Sequence, residues 1–284
     1  MSAVAKKIEQ PRLRGAIRIE EAVKVYGDPK TGVVAVDRCS FECPPGEITM
    51  VVGPSGCGKT TLLNAIGGFH SLTSGAIYLD GELLCGPGKP QAAPGSDRIV
   101  VFQNGALFPW KTNLENVIFG PVMQGKLTAR EARDKAYVLM SDAGLSGIVN
   151  EYPGQVSSGM RRRVEIVRAL MNDPKVLLLD EPYRALDALT KSVMHESLLQ
   201  TCYRNRVTVF FITHDLEESI FLGDQVVIMT SRPCRVKKRL KVDLPHPRDH
   251  TTRTTKRFRE LMDETMETVH EEAEKAFALG DREG

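Results

Sequence analysis

Residues Gly53 to Thr60 read GPSGCGKT, which satisfies every fixed position of the phosphate-cradle pattern G-x-x-x-x-G-K-[ST]. Small residues there let consecutive backbone N–H groups turn toward one anion, and a following helix N-terminus adds partial positive charge. Lys59 would reach the β- and γ-phosphates, and the Thr60 hydroxyl would sit on Mg²⁺. The flanks supply the context this chemistry needs. Ile48-Thr49-Met50-Val51-Val52 suits a buried strand, and Thr60-Thr61-Leu62-Leu63-Asn64-Ala65-Ile66 can open a helix that Gly67-Gly68 stops. The chain is therefore expected to bind a nucleoside triphosphate.

A second chemical group stands at Lys175-Val176-Leu177-Leu178-Leu179-Asp180-Glu181-Pro182. An apolar strand of a doubly wound sheet delivers its C-terminal residues to the ligand crevice. Asp180 can hold Mg²⁺ there, directly or through water, and Glu181 is placed to polarise an attacking water. A third group is Val156-Ser157-Ser158-Gly159-Met160, ahead of an abrupt helix bearing Arg161-Arg162-Arg163. Small residues at a helix tip make an anion site, with Ser157 adding a hydroxyl. The arginines oppose the helix dipole and read either as a solvated face or as attraction to phosphate or acidic neighbours.

The elements that position these groups follow from hydrophobic pattern. Ala16 to about Thr49 alternates apolar and polar residues with Gly27-Asp28-Pro29 and Pro44-Pro45-Gly46 as punctuation, which predicts antiparallel strands. Ile77-Tyr78-Leu79 followed by Asp80-Gly81 predicts a strand and hairpin turn. Leu84 to Ser96 reads as a surface loop, Ile99 to Phe102 as a buried strand, and Asn113 to about Ser146 as helical. Helix Arg161–Met171 leads to strand Val176–Leu179, and helix Leu189–Tyr203 leads to strand Val207–Ile212. Alternating helices and strands imply a parallel sheet. From about Pro245 a charged tail carries Phe258, Leu261, Met262, Met266, Val269 and Phe277 at helical spacing. It reads as a peripheral helix on the body, with a regulatory or docking tail as the alternative.

Composition narrows the class. The 284 residues are 42% hydrophobic and 26% charged, and 38 basic against 36 acidic side chains leave a net charge of +2. That balance gives no bulk attraction to nucleic acid. Six scattered cysteines (Cys39, Cys43, Cys57, Cys85, Cys202, Cys234) show no metal spacing and read as reduced thiols of a cytosolic compartment. The opening MSAVAKKIEQPRLRG has no signal-peptide core, and no run approaches the ~20 apolar residues of a membrane span. Work at a membrane would require a partner.

Taken together, these motifs resemble the nucleotide-binding subunits of ATP-binding cassette (ABC) transporters over roughly residues 16 to 240. The resemblance implies an α/β fold: a P-loop ABC ATPase domain with a mostly parallel core sheet, an N-terminal antiparallel β subdomain, and a helical subdomain inserted at about 104–165. A helical tail spans 245–284. That family carries L-S-G-G-Q where V-S-S-G-M stands here. Ser157 and Gly159 match, while Ser158 replaces a glycine and would cost about 1 kcal/mol if the backbone there needs positive φ.

The resemblance assigns further roles. Gly53, Pro54, Ser55, Gly56, Cys57, Gly58, Lys59, Thr60 and Thr61 would hold the nucleotide phosphates, and Tyr26 would stack on adenine. Gln103 would reach Mg²⁺ and the water, and His214 would contact the γ-phosphate. Ser157 and Gly159 would grip the γ-phosphate held by a second subunit, and Asp187 would lie in the loop that crosses the dimer interface. Arg184 departs from the family's usual small residue; it either meets the opposing phosphate region or strains the interface. The Leu107-Phe108-Pro109-Trp110 segment either plugs the core with its tryptophan or forms the groove for a permease helix. It is similar to ATPases of nitrate, sulfonate and taurine importers, as is Ser231-Arg232-Pro233, although Cys234 takes a usual glycine's place.

The implied function is ATP hydrolysis with Mg²⁺, catalysed through Glu181, Gln103 and His214, that drives solute import by a separate integral membrane permease. A second ABC subunit would complete an ATP-sandwich dimer, an extracytoplasmic solute-binding protein would act indirectly, and no nucleic acid is expected. The subunit would sit peripherally on the cytoplasmic face of the cell membrane. Two alternatives are a soluble ABC-type ATPase acting on nucleic acid or the ribosome and a small-molecule kinase. The first usually carries two cassettes or a long coiled coil, and the second leaves V-S-S-G-M and His214 without a role.

Overall fold

The computed structural model describes residues 13–28, 31–89, 92–184 and 186–278. Most of the N-terminal opening, Pro29, Ala185 and the last residues of the tail lie outside these. The chain begins with β1 (Ile17–Tyr26) and β2 (Val33–Cys43), which pair antiparallel, and then β3 (Ile48–Val52), the phosphate-loop segment and α1 (Lys59–Gly67). Strands β4 (Ser74–Leu79), β5 (Glu82–Cys85) and β6 (Arg98–Val101) follow. Next come α2 (Asn113–Met123), α3 (Ala129–Asp142) and α4 (Ser158–Leu170). The remainder alternates: β7 (Val176–Asp180), α5 (Ala188–Asn205), β8 (Thr208–Ile212), α6 (Leu216–Leu222), β9 (Gln225–Met229), β10 (Val236–Lys241) and α7 (Lys256–Ala278).

The strands form two sheets. An antiparallel sheet runs β2-β1-β4-β5, and a larger one runs β10-β9-β3-β8-β7-β6. In the second, neighbours from β9 through β6 are parallel, and β10 closes one edge antiparallel to β9. Every residue of β3, β7 and β8 is buried. Both faces of a parallel sheet are covered, so its strands read as continuous apolar runs. Alternate residues serve opposite faces. Leu177, Leu179, Val209 and Phe211 meet the side that carries α5 and α6, whereas Leu178, Phe210 and Ile212 meet α1 and the antiparallel sheet.

A third apolar cluster joins α2, α3 and α4 through Leu114, Val117, Ala132, Ala136, Met140, Val164 and Val167. Here the single helical stretch expected over residues 113–146 is two helices. Thr112 and Thr128 each open one with a capping box, through Glu115 and Glu131. Gly144 at φ 69° ends the second. Three other expectations shift. Ile48 and Thr49 belong to the parallel sheet rather than the antiparallel one, Leu84 and Cys85 are buried in β5, and Phe102 lies past the end of β6. Asp80 and Gly81, both at positive φ, make the anticipated hairpin turn between β4 and β5.

Helix α7 lies on the body. Phe258 and Leu261 enter the core, Met262 and Val269 pack at its margin, and Met266 and Phe277 face outward. Among the described residues all six cysteines are buried and none forms a disulfide, and no helix is long and apolar enough to cross a membrane.

Candidate nucleotide site

The loop from Gly53 to Thr60 leaves the C-terminal end of β3 and enters α1, with Gly53, Gly56 and Gly58 at φ 156°, 69° and 124°. Gly58 has a second reason to be glycine. A Cβ there would stand 2.4 Å from the Ala35 carbonyl oxygen and 2.9 Å from Cys234 Cβ. Lys59 is buried, and its Nζ donates to the carbonyls of Gly53 and Pro54, both at 2.8 Å. The loop thus turns carbonyls toward its own lysine while small residues keep the cradle open to an anion.

Asp180 ends β7 directly opposite. The Thr60 hydroxyl lies 3.2 Å from each of its carboxylate oxygens. Burial raises the Asp180 pKa, and the Thr60 hydrogen bond works against that rise. A hydroxyl and one carboxylate are hard oxygen donors of the kind Mg²⁺ takes alongside phosphates and water. The residues present fit that ion.

Glu181 follows at φ 43°, a conformation rare for a residue with a Cβ, and its N–H donates to the Ile212 carbonyl at 2.9 Å. That bond ties the strand end to β8 and aims the side chain out of the sheet. Three groups converge on Glu181 Oε2: His214 Nδ1 at 3.3 Å, Gln103 Nε2 at 3.5 Å and Arg184 Nη1 at 3.5 Å. His214 therefore stands beside Glu181, and Gln103, just past β6, presents its amide to the same carboxylate. Within the chain Arg184 pairs with Glu181. Tyr26 is partly exposed, with its hydroxyl 3.4 Å from Thr61 Oγ1, so its ring borders the start of α1.

A separate group gathers at the N-termini of α4 and α5. Ser157 caps α4, its hydroxyl accepting from Met160 N at 3.2 Å, and Asp187 caps α5, accepting from Thr190 N at 3.0 Å. The two helix tips touch closely, because a Cβ on Gly159 would be 2.7 Å from Thr190 Cγ2. Ser158 begins α4 and is not among the positive-φ residues, so the condition for strain there is not met.

The three arginines after it do not form a solvated face, and Arg162 shows the expected attraction to an acidic neighbour. Arg161 donates to the carbonyls of Val156 and Pro153, and Arg163 to that of Ala143. Arg162 is buried and holds the carbonyls of Phe102 at 2.8 Å and Gln103 at 2.6 Å while pairing with Glu165 at 2.6 Å. Glu165 in turn accepts from Ala106 N at 2.7 Å. This pair was missed in the sequence; its only local trace is an i,i+3 charge pair set among apolar positions of an amphipathic helix.

Beyond Gln103 the chain lines a groove of 540 Å³ whose walls include Ile99, Phe102, Phe108, Phe119, Gln124 and Arg168. Trp110 stands beside it, 71% exposed and 5.6 Å from the Phe108 ring. It does not plug the core.

A phosphate loop facing a hydroxyl–carboxylate pair, with a glutamate fed by glutamine and histidine, defines a nucleoside-triphosphate-hydrolysing cassette. Residues 36–184 match the ABC transporter family. A taurine import ATP-binding protein of Rhizobium johnstonii is 41% identical over 243 residues, covering 84% of this chain and 90% of the relative. A nitrate import ATP-binding protein of Synechococcus elongatus is 39% identical over 237 residues, covering 83% and 84%. Among solved structures, a dimeric ATP-binding cassette in a post-hydrolysis state with ADP and Pi superposes with TM-score 0.67 at 28% identity, over 80% of this chain and 98% of that one. The chain belongs to the ABC transporter family and is an ATP-binding, ATP-hydrolysing subunit.

Proposed function

We propose that this ATPase powers solute import by a separate membrane permease and works as a dimer with nucleotide sandwiched between copies. The observation that carries this reading is the continuous connection from Glu181, through Gln103 and the Arg162–Glu165 pair, to the aromatic groove beside Trp110. Such a connection lets events at a terminal phosphate be felt where a permease helix would sit. An exposed tryptophan with neighbouring phenylalanines is the kind of anchor that dominates a binding surface. Relatives named for nitrate and taurine import support the import direction.

In this reading Lys59 and the cradle bind the triphosphate, and Tyr26 borders the base. Thr60 and Asp180, with Gln103 just past β6, would hold Mg²⁺, which would neutralise phosphate charge. Glu181 orients the attacking water, and His214 keeps that carboxylate in place. Ser157, Gly159 and Asp187 face the nucleotide of the second copy. The catalytic task is positioning and charge stabilisation, since phosphoryl transfer asks little covalent work of the protein. The solute is recognised by the permease and by an extracytoplasmic binding protein, and the ATPase stays peripheral on the cytoplasmic face. Nucleic acid has no part in it.

Purification from membranes tests the proposal. Wild-type chain is expected to bring down a polytopic membrane protein, and Trp110→Ala is expected to release it while retaining ATP hydrolysis. Recovery of ribosomes or nucleic acid instead, or of a phosphorylated small molecule after turnover, would overturn it.

A further inference from the structure

The segment between β9 and β10 touches α7 on one side and the phosphate loop on the other. At its start, the backbone N–H of buried Ser231 donates to Glu272 Oε2 at 3.1 Å. Glu272 belongs to α7, is 2% exposed, and also accepts from Lys237 at 3.1 Å and Lys275 at 2.7 Å. Burial opposes its ionisation, yet these donors hold its pKa below the usual carboxylate range. It is a fixed, charged anchor.

One residue on, Arg232 turns the other way. Its Nη2 donates to the Gly56 carbonyl, at the turn of the phosphate loop, at 3.1 Å. The rest of the segment is held stiffly. Thr230 Oγ1 donates to the Pro233 carbonyl at 2.7 Å, Cys234 N donates to the Ala35 carbonyl at 3.0 Å, and Asp37 N donates to the Cys234 carbonyl at 3.0 Å. A loop whose N–H groups face an anion directs carbonyls elsewhere, and side-chain donors that hold those carbonyls fix its shape. Lys59 occupies those of Gly53 and Pro54. Arg232 occupies that of Gly56.

We propose that Arg232 is a positioning residue that holds the phosphate cradle in its binding shape, and that Glu272 of α7 fixes Arg232 through the Ser231 backbone. The tail helix is thereby coupled to nucleotide affinity. This rests on the reading of residues 53–60 as the ATP cradle.

The test is steady-state ATP hydrolysis and ADP titration on the full chain and its variants, with thermal melts alongside. Arg232→Ala is expected to raise KM for MgATP and Kd for ADP about threefold to tenfold, the net range of an ordinary hydrogen bond at a water-accessible position. Its kcat stays within about twofold, because the reacting groups are untouched. Arg232→Lys restores part of the affinity. Glu272→Ala gives a similar rise, and adding it to Arg232→Ala gives no further rise, since both act through one bond. Glu272→Gln, which keeps an acceptor for Ser231, stays near wild type and keeps the coupling testable should the alanine variant unfold.

Unchanged affinity in folded Arg232→Ala overturns the proposal, and fully additive effects overturn the coupling to α7. Wild-type chain that binds neither ADP nor ATP would instead remove the reading of the cradle itself.

Discussion

The Thr60 hydroxyl and the Asp180 carboxylate face one another at 3.2 Å, from the first turn of α1 and the last residue of β7. Two elements far apart in sequence thus present one pair of oxygens beside the phosphate cradle. A metal ion bridging phosphates would use both, and its charge stabilisation is worth several kcal/mol in transfer reactions. Thr60→Val keeps the volume and removes the hydroxyl. It is expected to lower Mg²⁺-dependent hydrolysis by about 100-fold or more while nucleotide binding in chelator persists. Wild-type Mg²⁺ dependence in that variant would show the pair to be only a structural hydrogen bond.

Glu181 is surrounded by His214, Gln103 and Arg184, all directed at one carboxylate oxygen. A group so constrained is suited to hold one water in one orientation. Glu181→Gln preserves the shape and removes the base. Turnover should fall by about 10² to 10⁴, the usual share of general-base help. ATP binding should remain, and size-exclusion chromatography with saturating ATP should reveal an accumulating dimer. Unaltered turnover would exclude Glu181 as the base.

Much of this site was legible because its determinants are local. The glycine spacing before Lys59 and the apolar run before Asp180 each state a strand, a turn and a ligand group within a few residues. The same holds for the N-caps Ser157 and Asp187, whose bonds close within three residues. What stayed hidden depends on side chains brought together by the tertiary fold. Arg162 meets the carbonyls of Phe102 and Gln103, Arg232 meets Gly56, and Trp110 stands out from the surface. A long cationic side chain reads the same in sequence whether it faces water or holds a distant carbonyl. The backbone at Ser158 was open in the sequence for a related reason. Strain at that residue required a left-handed backbone, and the helix starts there instead.

Gly159 offers a test of how tightly the two helix tips fit. A methyl there would be 2.7 Å from Thr190 Cγ2 and must push α4 from α5. Gly159→Ala gains helix propensity, about 1 kcal/mol in an unhindered helix, so the crowding works against a favourable term. The variant is expected to lose ATP-induced dimerisation, with little gain in melting temperature. Thr190→Ser removes the offending methyl and should restore dimerisation in the double variant. Failure of that rescue would mean the helix tips do not limit assembly.

Cys57 makes the site sensitive to pH. Its thiol sits inside the cradle, 1% exposed, against Cys234 and 3.8 Å from Lys59 Nζ. The hydrogen bond from Cys234 lowers its pKa most, burial opposes this, and the Lys59 charge adds to the lowering, leaving it at about 6 against an ordinary 9.0. The folded state therefore prefers the thiolate more than the unfolded chain does. By linkage, this contribution to stability is fully present above the unfolded value near 9 and shrinks as pH falls toward 6. Denaturant titrations across that window should show wild type gaining stability with rising pH relative to Cys57→Ser, and thiolate absorbance should appear with a midpoint near 6. Bound nucleotide brings negative phosphates beside the same sulfur, so saturating ADP should move that midpoint upward. Parallel stability curves for wild type and Cys57→Ser would mean the thiol stays protonated in the cradle.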